Sequence, residues 1–187
     1  SICHPNYVLT GHTKEGYGLS WSPLRRGYLG SGSDDQKVCV WDVLSSVNSF
    51  QVKPLIEYCE QKDIVEVTTG SRMKYGVLFV TASSDNTLAL WDHRNVSTPL
   101  HVLQGHKAEI FSASWNPVNR NILASAGVDR RVYLWDLSRV WMVVECHVDW
   151  KDFPPEQAEE GPAELIFVHA GHTAKVNDIS WNPNVHT

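Results

Sequence analysis

Cysteine is sparse in this sequence: four residues in 187, at Cys3, Cys39, Cys59 and Cys146, with no Cys-x-x-Cys spacing. That pattern reads as reduced thiols of an intracellular protein. Cys39 lies between two valines in a strand pattern, which suits a core position better than a reactive one. No run of 18 apolar residues is present, which excludes a membrane-spanning helix. Ser1-Ile2-Cys3-His4-Pro5 has neither the charged nor the apolar region of a signal peptide, and the absence of Met leaves room for an upstream start. Positive charge is also short. Sixteen Lys and Arg face 21 Asp and Glu, for a net charge of -5. A general nucleic-acid binder would carry a basic patch, so that class is set aside, while a basic partner stays open. A Gly-rich phosphate loop, a metal cluster and an unrepeated nucleophile–base set are all missing, so neither an enzyme nor a cofactor or small-molecule substrate is expected. Cys146-His147 with Asp149 fits no standard metal spacing.

Tryptophan, by contrast, is plentiful at eight residues, and a repeat explains several of them. Three stretches end in Trp-Asp: Gly32 to Asp42, Ala82 to Asp92 and Ala126 to Asp136. In each, an Asp stands six residues before the Trp, and a Ser or Thr (Ser31, Thr81, Ser125) stands four before that Asp. His12 precedes Trp21-Ser22-Pro23 by nine residues, as His106 precedes Trp115-Asn116-Pro117. A third start, Gly171-His172, places Trp181-Asn182-Pro183 at the same offset.

Within the first unit, Tyr17 to Trp21 alternates and stops at Ser22-Pro23, as a strand ended by a turn does. Tyr28 to Ser33 makes a second strand, Asp34 to Lys37 a tight turn, and Val38 to Trp41 a third strand. Leu44 to Lys53 is expected to supply a loop and a fourth, outer strand. Four short strands in about 40 to 45 residues, opened by Gly-His and closed by Trp-Asp, are the signature of WD repeats, the blades of a β-propeller. The expected fold is therefore all-β: a partial WD-repeat propeller of three to four blades, not a closed seven-bladed ring. The units run over about 7–53, 56–100, 101–139 and 165–187, with 140–164 inserted as an acidic loop.

Recurring His, Ser, Asp and Trp look like a catalytic set, but a nucleophile triad repeated in every blade makes little sense. In WD-repeat proteins these side chains hydrogen-bond across one blade and fix its register. The resemblance maps them onto His12, Ser31, Asp35 and Trp41, and onto His106, Ser125, Asp129 and Trp135. The middle unit departs. Thr81, Asp85 and Trp91 are present, but counting back from Trp91 reaches Lys62, and lining up Ile64 to Val67 as the first strand puts Gln61 there instead; neither is a His. Gly70 to Met73 holds no Trp or Pro, so this blade is expected to be the least stable.

Gly11 to Trp21 closely resembles one subfamily, the histone-binding WD-repeat proteins (retinoblastoma-binding and MSI-type proteins, the small subunit of chromatin assembly factor). Gly105 to Phe111, Asp129-Arg130-Arg131 with Trp135 to Ser138, and Glu159 to Phe167 running into Gly171 to Lys175 agree with it. Relative to that family the chain resembles a partial or rearranged member. About one repeat is missing near Glu66 to Tyr75, and residues near 140–152 are inserted. The resemblance implies a non-enzymatic scaffold that presents core histones to assembly, deacetylase, acetyltransferase or polycomb complexes. Its place would be the nucleus, with some in the cytoplasm. Tail-contacting positions three and five residues after each blade's His would be Glu15 and Tyr17, Glu109 and Phe111, and Lys175 and Asn177, with Glu66 in the irregular blade if Gln61 takes the His position. Carboxylates there accept charge-assisted hydrogen bonds from Arg or Lys, and aromatics pack against the cationic stems.

A second family site grips a histone helix with an acidic loop, matched here by Glu156, Glu159, Glu160 and Glu164. Gln157 and Ala163 depart from its pattern, and the family's N-terminal helix has no match, so that site is expected to be crippled. A different function class rests on Trp91-Asp92-His93-Arg94. It fits the Trp-Asp-x-Arg box (Trp91, Asp92, Arg94) of substrate receptors in cullin–RING ubiquitin ligases, where Arg94 would contact the adaptor.

Overall fold

A computed structural model describes residues 5–23, 25–45, 50–59, 64–73, 76–95, 97–140 and 161–182; over 59–77 it is the backbone that is described. Three antiparallel four-stranded sheets dominate. The first joins β2 (Gly16–Trp21), β3 (Tyr28–Ser33), β4 (Lys37–Asp42) and β6 (Ile56–Cys59). In the second, β7 (Ile64–Met73), β8 (Gly76–Ser83), β9 (Thr87–Asp92) and β10 (His101–Gln104) lie in that order. The third holds β11 (Ile110–Trp115), β12 (Ile122–Gly127), β13 (Val132–Asp136) and β14 (Leu165–His169). Among the described residues no helix is long and apolar enough to cross a membrane.

The hairpins between second and third strands share one device. The Oδ1 atoms of Asp35, Asp85 and Asp129 accept from the amides of Lys37, Thr87 and Arg131 at 3.1, 3.1 and 3.2 Å. Such a carboxylate replaces a backbone partner and closes the turn. It also explains why Gln36, Asn86 and Arg130 tolerate φ of 66°, 71° and 63°.

The sheets stack along the chain, and the apolar faces between neighbouring sheets are buried. Val38 and Tyr58 of the first sheet pack on Phe79, Ala89 and Trp91 of the second. Tyr58 meets the Phe79 and Trp91 rings edge-on, with centroids 4.8 and 5.4 Å away. The second sheet's other face (Leu78, Val80, Ala82, Leu88, Leu90) packs on Ala113, Leu123, Tyr133 and Trp135 of the third. The middle blade, which lacks its His, is thus buried on both faces, and burial of that kind contributes roughly 1.5–3 kcal/mol per large side chain.

The outer strands depart from the expectation. The fourth strand of the first sheet is β6, not a strand within Leu44 to Lys53. Instead β5 (Gln51–Val52) pairs in parallel with β1 (Val8–Leu9). Its Val52 is buried against Cys39 and Trp41, and the chain returns to the sheet only after Pro54, where the Leu55 amide donates to Val40. The sheets are also offset from the sequence units. β6, β10 and β14 each complete the sheet before the unit whose numbering they open, so the edge of every blade is closed by residues that follow its Trp-Asp.

The arc of sheets is open. Tyr17, Leu19 and Trp21 on β2 are 67, 68 and 60% exposed, whereas Ala113, in the place of Leu19, is 3% exposed against the second sheet. At the other end, the segment from Gly171 lies along the third sheet. The Val176 amide donates to Gly127 and the Trp181 indole to the Ser114 carbonyl, at 3.1 and 3.0 Å.

Candidate functional site

The recurring geometry of a blade is clearest in the third sheet. His106 Nδ1 lies 2.9 Å from Asp129 Oδ2, and its Nε2 lies 2.8 Å from Ser125 Oγ. The Trp135 indole donates to the same hydroxyl at 2.8 Å. In the first sheet the chain of contacts stops short. His12 meets Asp35 at 3.1 Å and Ser31 Oγ at 2.6 Å, but the buried indole nitrogen of Trp41 has no partner. The middle sheet keeps the other end, with Trp91 donating to Thr81 Oγ1 at 2.9 Å. These side chains tie strands together inside the blades.

The difference sets an expectation. Ser125→Ala strips a partner from two buried groups and should cost roughly 2–3 kcal/mol, whereas Ser31→Ala loses one half-buried link and should cost roughly 1 kcal/mol. Urea denaturation of both variants measures this, and equal losses would contradict the unequal tetrads.

The same groups give the fold a pH dependence. Burial holds the His106 imidazole below its ordinary 6.5 despite the pull of Asp129. The folded state therefore binds fewer protons there than the unfolded chain. Its stabilising contribution is complete above 6.5 and is lost as the pH falls below it. Burial pushes the Asp35 carboxyl up, but the Thr13 amide, His12 and the Lys37 amide outweigh it and hold it below 3.8. Asp92 is likewise raised by burial and held lower by Arg94 and His93. Both carboxylates extend the loss as pH falls through 3.8. Thermal unfolding should drop by a few degrees between about pH 7.5 and about pH 5.5; a rise over that window would contradict the buried neutral His106.

At the start of each first strand the backbone carries a bulge. Gly16 and Gly18 pair with Ser33 and Gly32, leaving Tyr17 as the extra residue; Ile110 and Ser112 pair with Gly127 and Ala126, leaving Phe111. A bulge at a sheet end re-aims its side chain. Glu15 and Glu109 stand two residues earlier, and each is anchored through its carbonyl, which accepts from the Asp34 and Val128 amides at 3.0 and 2.8 Å. A Cβ on Gly127 would overlap the Glu109 carbonyl oxygen, so glycine lets the third blade close tightly there. Glu15 is exposed and Glu109 half-buried. Strand β7 lies between β2 and β11, in contact with both. Carboxylates and aromatics thus occupy the same position on two inner strands.

In the middle blade the bulge falls between Ile64 and Glu66, opposite Ser83 and Ala82. Register therefore gives Val65, not Glu66, the position of Tyr17 and Phe111, and puts Glu66 in line with Gly18 and Ser112. The hairpin explains the slip. Ile64 to Ser83 is 19 positions where Gly16 to Ser33 and Ile110 to Gly127 are 17, with a second irregularity between Thr69 and Arg72. Counting back from Trp91 to Lys62 misses those two residues, and Glu66, which rests on Gln61 in the His position, falls one place beyond the bulged residue.

Lys175 and Asn177 are exposed, and the Lys175 ammonium sits over the Phe111 ring, 5.1 Å from its centroid. Glu156, Glu159 and Glu160 lie outside the described residues. Glu164 is not the surface acid that its place in an acidic loop suggested. It is 2% exposed, with Oε1 3.0 Å from His101 Nε2 and Oε2 without a partner. It leads directly into β14, so completing the third sheet pulls it beneath the outer strand. His101 was not legible as its partner, because 63 residues separate them. In the Trp-Asp-x-Arg stretch the Arg94 side chain is exposed, beside a buried Asp92. Trp91 is buried, and Arg94 turns back to hold Asp92, its Nε donating at 2.9 and 3.0 Å and its Nη2 pairing with Oδ2.

A family model described as WD domain, G-beta repeat matches residues 3–42 and 97–136. These are the stretches that run to the Trp-Asp of the first and third sheets. The chain carries WD repeats, and its fold is a partial WD-repeat β-propeller. Proteins built on such repeats are as a rule non-enzymatic scaffolds for protein–protein interaction.

Proposed function

We propose that this chain is a histone-binding scaffold that receives a basic core-histone tail at the rim formed by its first strands. It would present that tail to chromatin assembly or modifying complexes in the nucleus. The supporting observation is the repeated pair, Glu15 with Tyr17 and Glu109 with Phe111, set at the same bulge in two blades. A carboxylate near an aromatic, exposed at Tyr17 and half-buried at Phe111, suits Arg or Lys, which it holds by a charge-assisted hydrogen bond while the ring packs the stem. The resemblance of Gly11 to Trp21 and Gly105 to Phe111 to histone-binding WD-repeat proteins favours the same ligand. The reading is tested by adding an unmodified core-histone tail peptide to isotope-labelled protein. Amide resonances of Glu15 to Tyr17 and Glu109 to Phe111 should move. Shifts confined to the opposite end of the blades, around Asp92 to Arg94, would refute the placement.

A further inference from the structure

The contact between Lys175 and Phe111 has a consequence for ligand selection. Phe111 is the bulged residue of β11, and its ring already carries a cation from this chain, with the Lys175 Nζ 5.1 Å from the centroid. That lies within the roughly 6 Å over which a ring quadrupole attracts an ammonium. The contact is not the chance of one loose side chain. Directly after Lys175 the Val176 amide donates to the Gly127 carbonyl at 3.1 Å, and two residues further on Asp178 Oδ1 accepts from Ser112 Oγ at 3.1 Å. Gly127 and Ser112 belong to the two strands that frame the bulge. The backbone carrying Lys175 is therefore fixed to the blade whose aromatic it covers.

We propose that Lys175 is an internal competitor for the cation-binding face of Phe111, a specificity-determining residue that an incoming basic side chain must displace. The proposal rests on the tail-binding reading of the rim. It adds that the site selects against ligands of low positive charge. A segment with a strong cation displaces the ammonium and gains the ring, and Glu109 is at hand to hold it. A neutral segment meets a face already filled. Lys175 has a flexible four-carbon stem and stands in solvent, so it can swing away without unfolding anything. Displacement costs what an exposed cation–ring contact contributes, which corresponds to roughly a 2- to 5-fold change in affinity.

The test is titration of the 187-residue chain with an unmodified core-histone tail peptide, beside Lys175→Gln, Phe111→Leu and the double variant. Lys175→Gln should bind about 3-fold more tightly, from the freed ring. In the Phe111→Leu background the same change should do little, because no ring is left to free. Binding by the unaltered chain that Lys175→Gln leaves unchanged or weakens would overturn the competitor role alone, and would make Lys175 a bystander or a direct contact. An equal gain in both backgrounds would overturn it too, as that is bulk charge rather than competition for Phe111. Peptide binding absent from every variant would overturn both this inference and the tail-binding reading.

Discussion

Trp135→Ala should remove roughly 3–5 kcal/mol of stability, the range for truncating a buried aromatic. Trp135 is fully buried and belongs to the cluster that joins the second and third sheets. It stacks on Tyr133 at 5.8 Å, donates to Ser125, and lies close enough to Gly105 that an added Cβ would press on its ring. Truncation therefore opens a cavity at a sheet interface and leaves Ser125 with one partner fewer. Against a total stability of roughly 5–15 kcal/mol for a domain, that loss is decisive. Trp21→Ala supplies the control, since Trp21 is 60% exposed on the open face. Its change should stay within about 1 kcal/mol. Denaturant unfolding reads both, and comparable losses would contradict the division between sealed and open sheet faces.

Reversing both rim carboxylates should have the largest effect on binding. Glu15→Lys with Glu109→Lys replaces two charge-assisted acceptors by two like charges facing a basic ligand. Each such bond contributes roughly 1.5–3 kcal/mol, so each reversal should weaken a histone-tail peptide by roughly 10- to 100-fold. The folded state should be little altered. Both residues hold the fold through their carbonyl oxygens, which the substitutions keep. The half-buried Glu109 should show the greater effect, because its partner is better shielded from solvent. Titration calorimetry at fixed salt measures the loss. Undiminished binding by the double variant would remove Glu15 and Glu109 from the site.

What could be read from the sequence follows where the physics is local. The span Tyr28–Ser33 and the turn after it are set by alternation and by Asp35, which needs only its near neighbours to close the hairpin. The structure places the same strand and turn there. The Trp-Asp spacing is local in the same sense. The fourth strands were not legible, since β6, β10 and β14 are short edge segments with no fixed offset from the repeat. Thr81, Asp85 and Trp91 marked the back of the middle blade, but the two added residues of the β7–β8 hairpin hid its front. At the rim, Glu15, Tyr17, Glu109 and Phe111 are proposed from the resemblance, which counts them from each blade's His. Val65 had no such anchor, and its place came from strand pairing. Glu164 looked like part of a solvated acidic run because its burial depends on a distant histidine. That Trp41 lacks the partner Trp135 has is a matter of side-chain placement that identical spacing conceals.

The most direct test of a charge-reading rim compares two ligands on one protein: an unmodified core-histone tail peptide and the same peptide with every lysine acetylated and every arginine replaced by citrulline. Binding of both to the 187-residue chain is measured by calorimetry under identical salt. Saturable one-site binding of the charged peptide, with the neutral form at least about 10-fold weaker, is the predicted result. Equal binding of the two, or no binding of the charged one, would contradict the account.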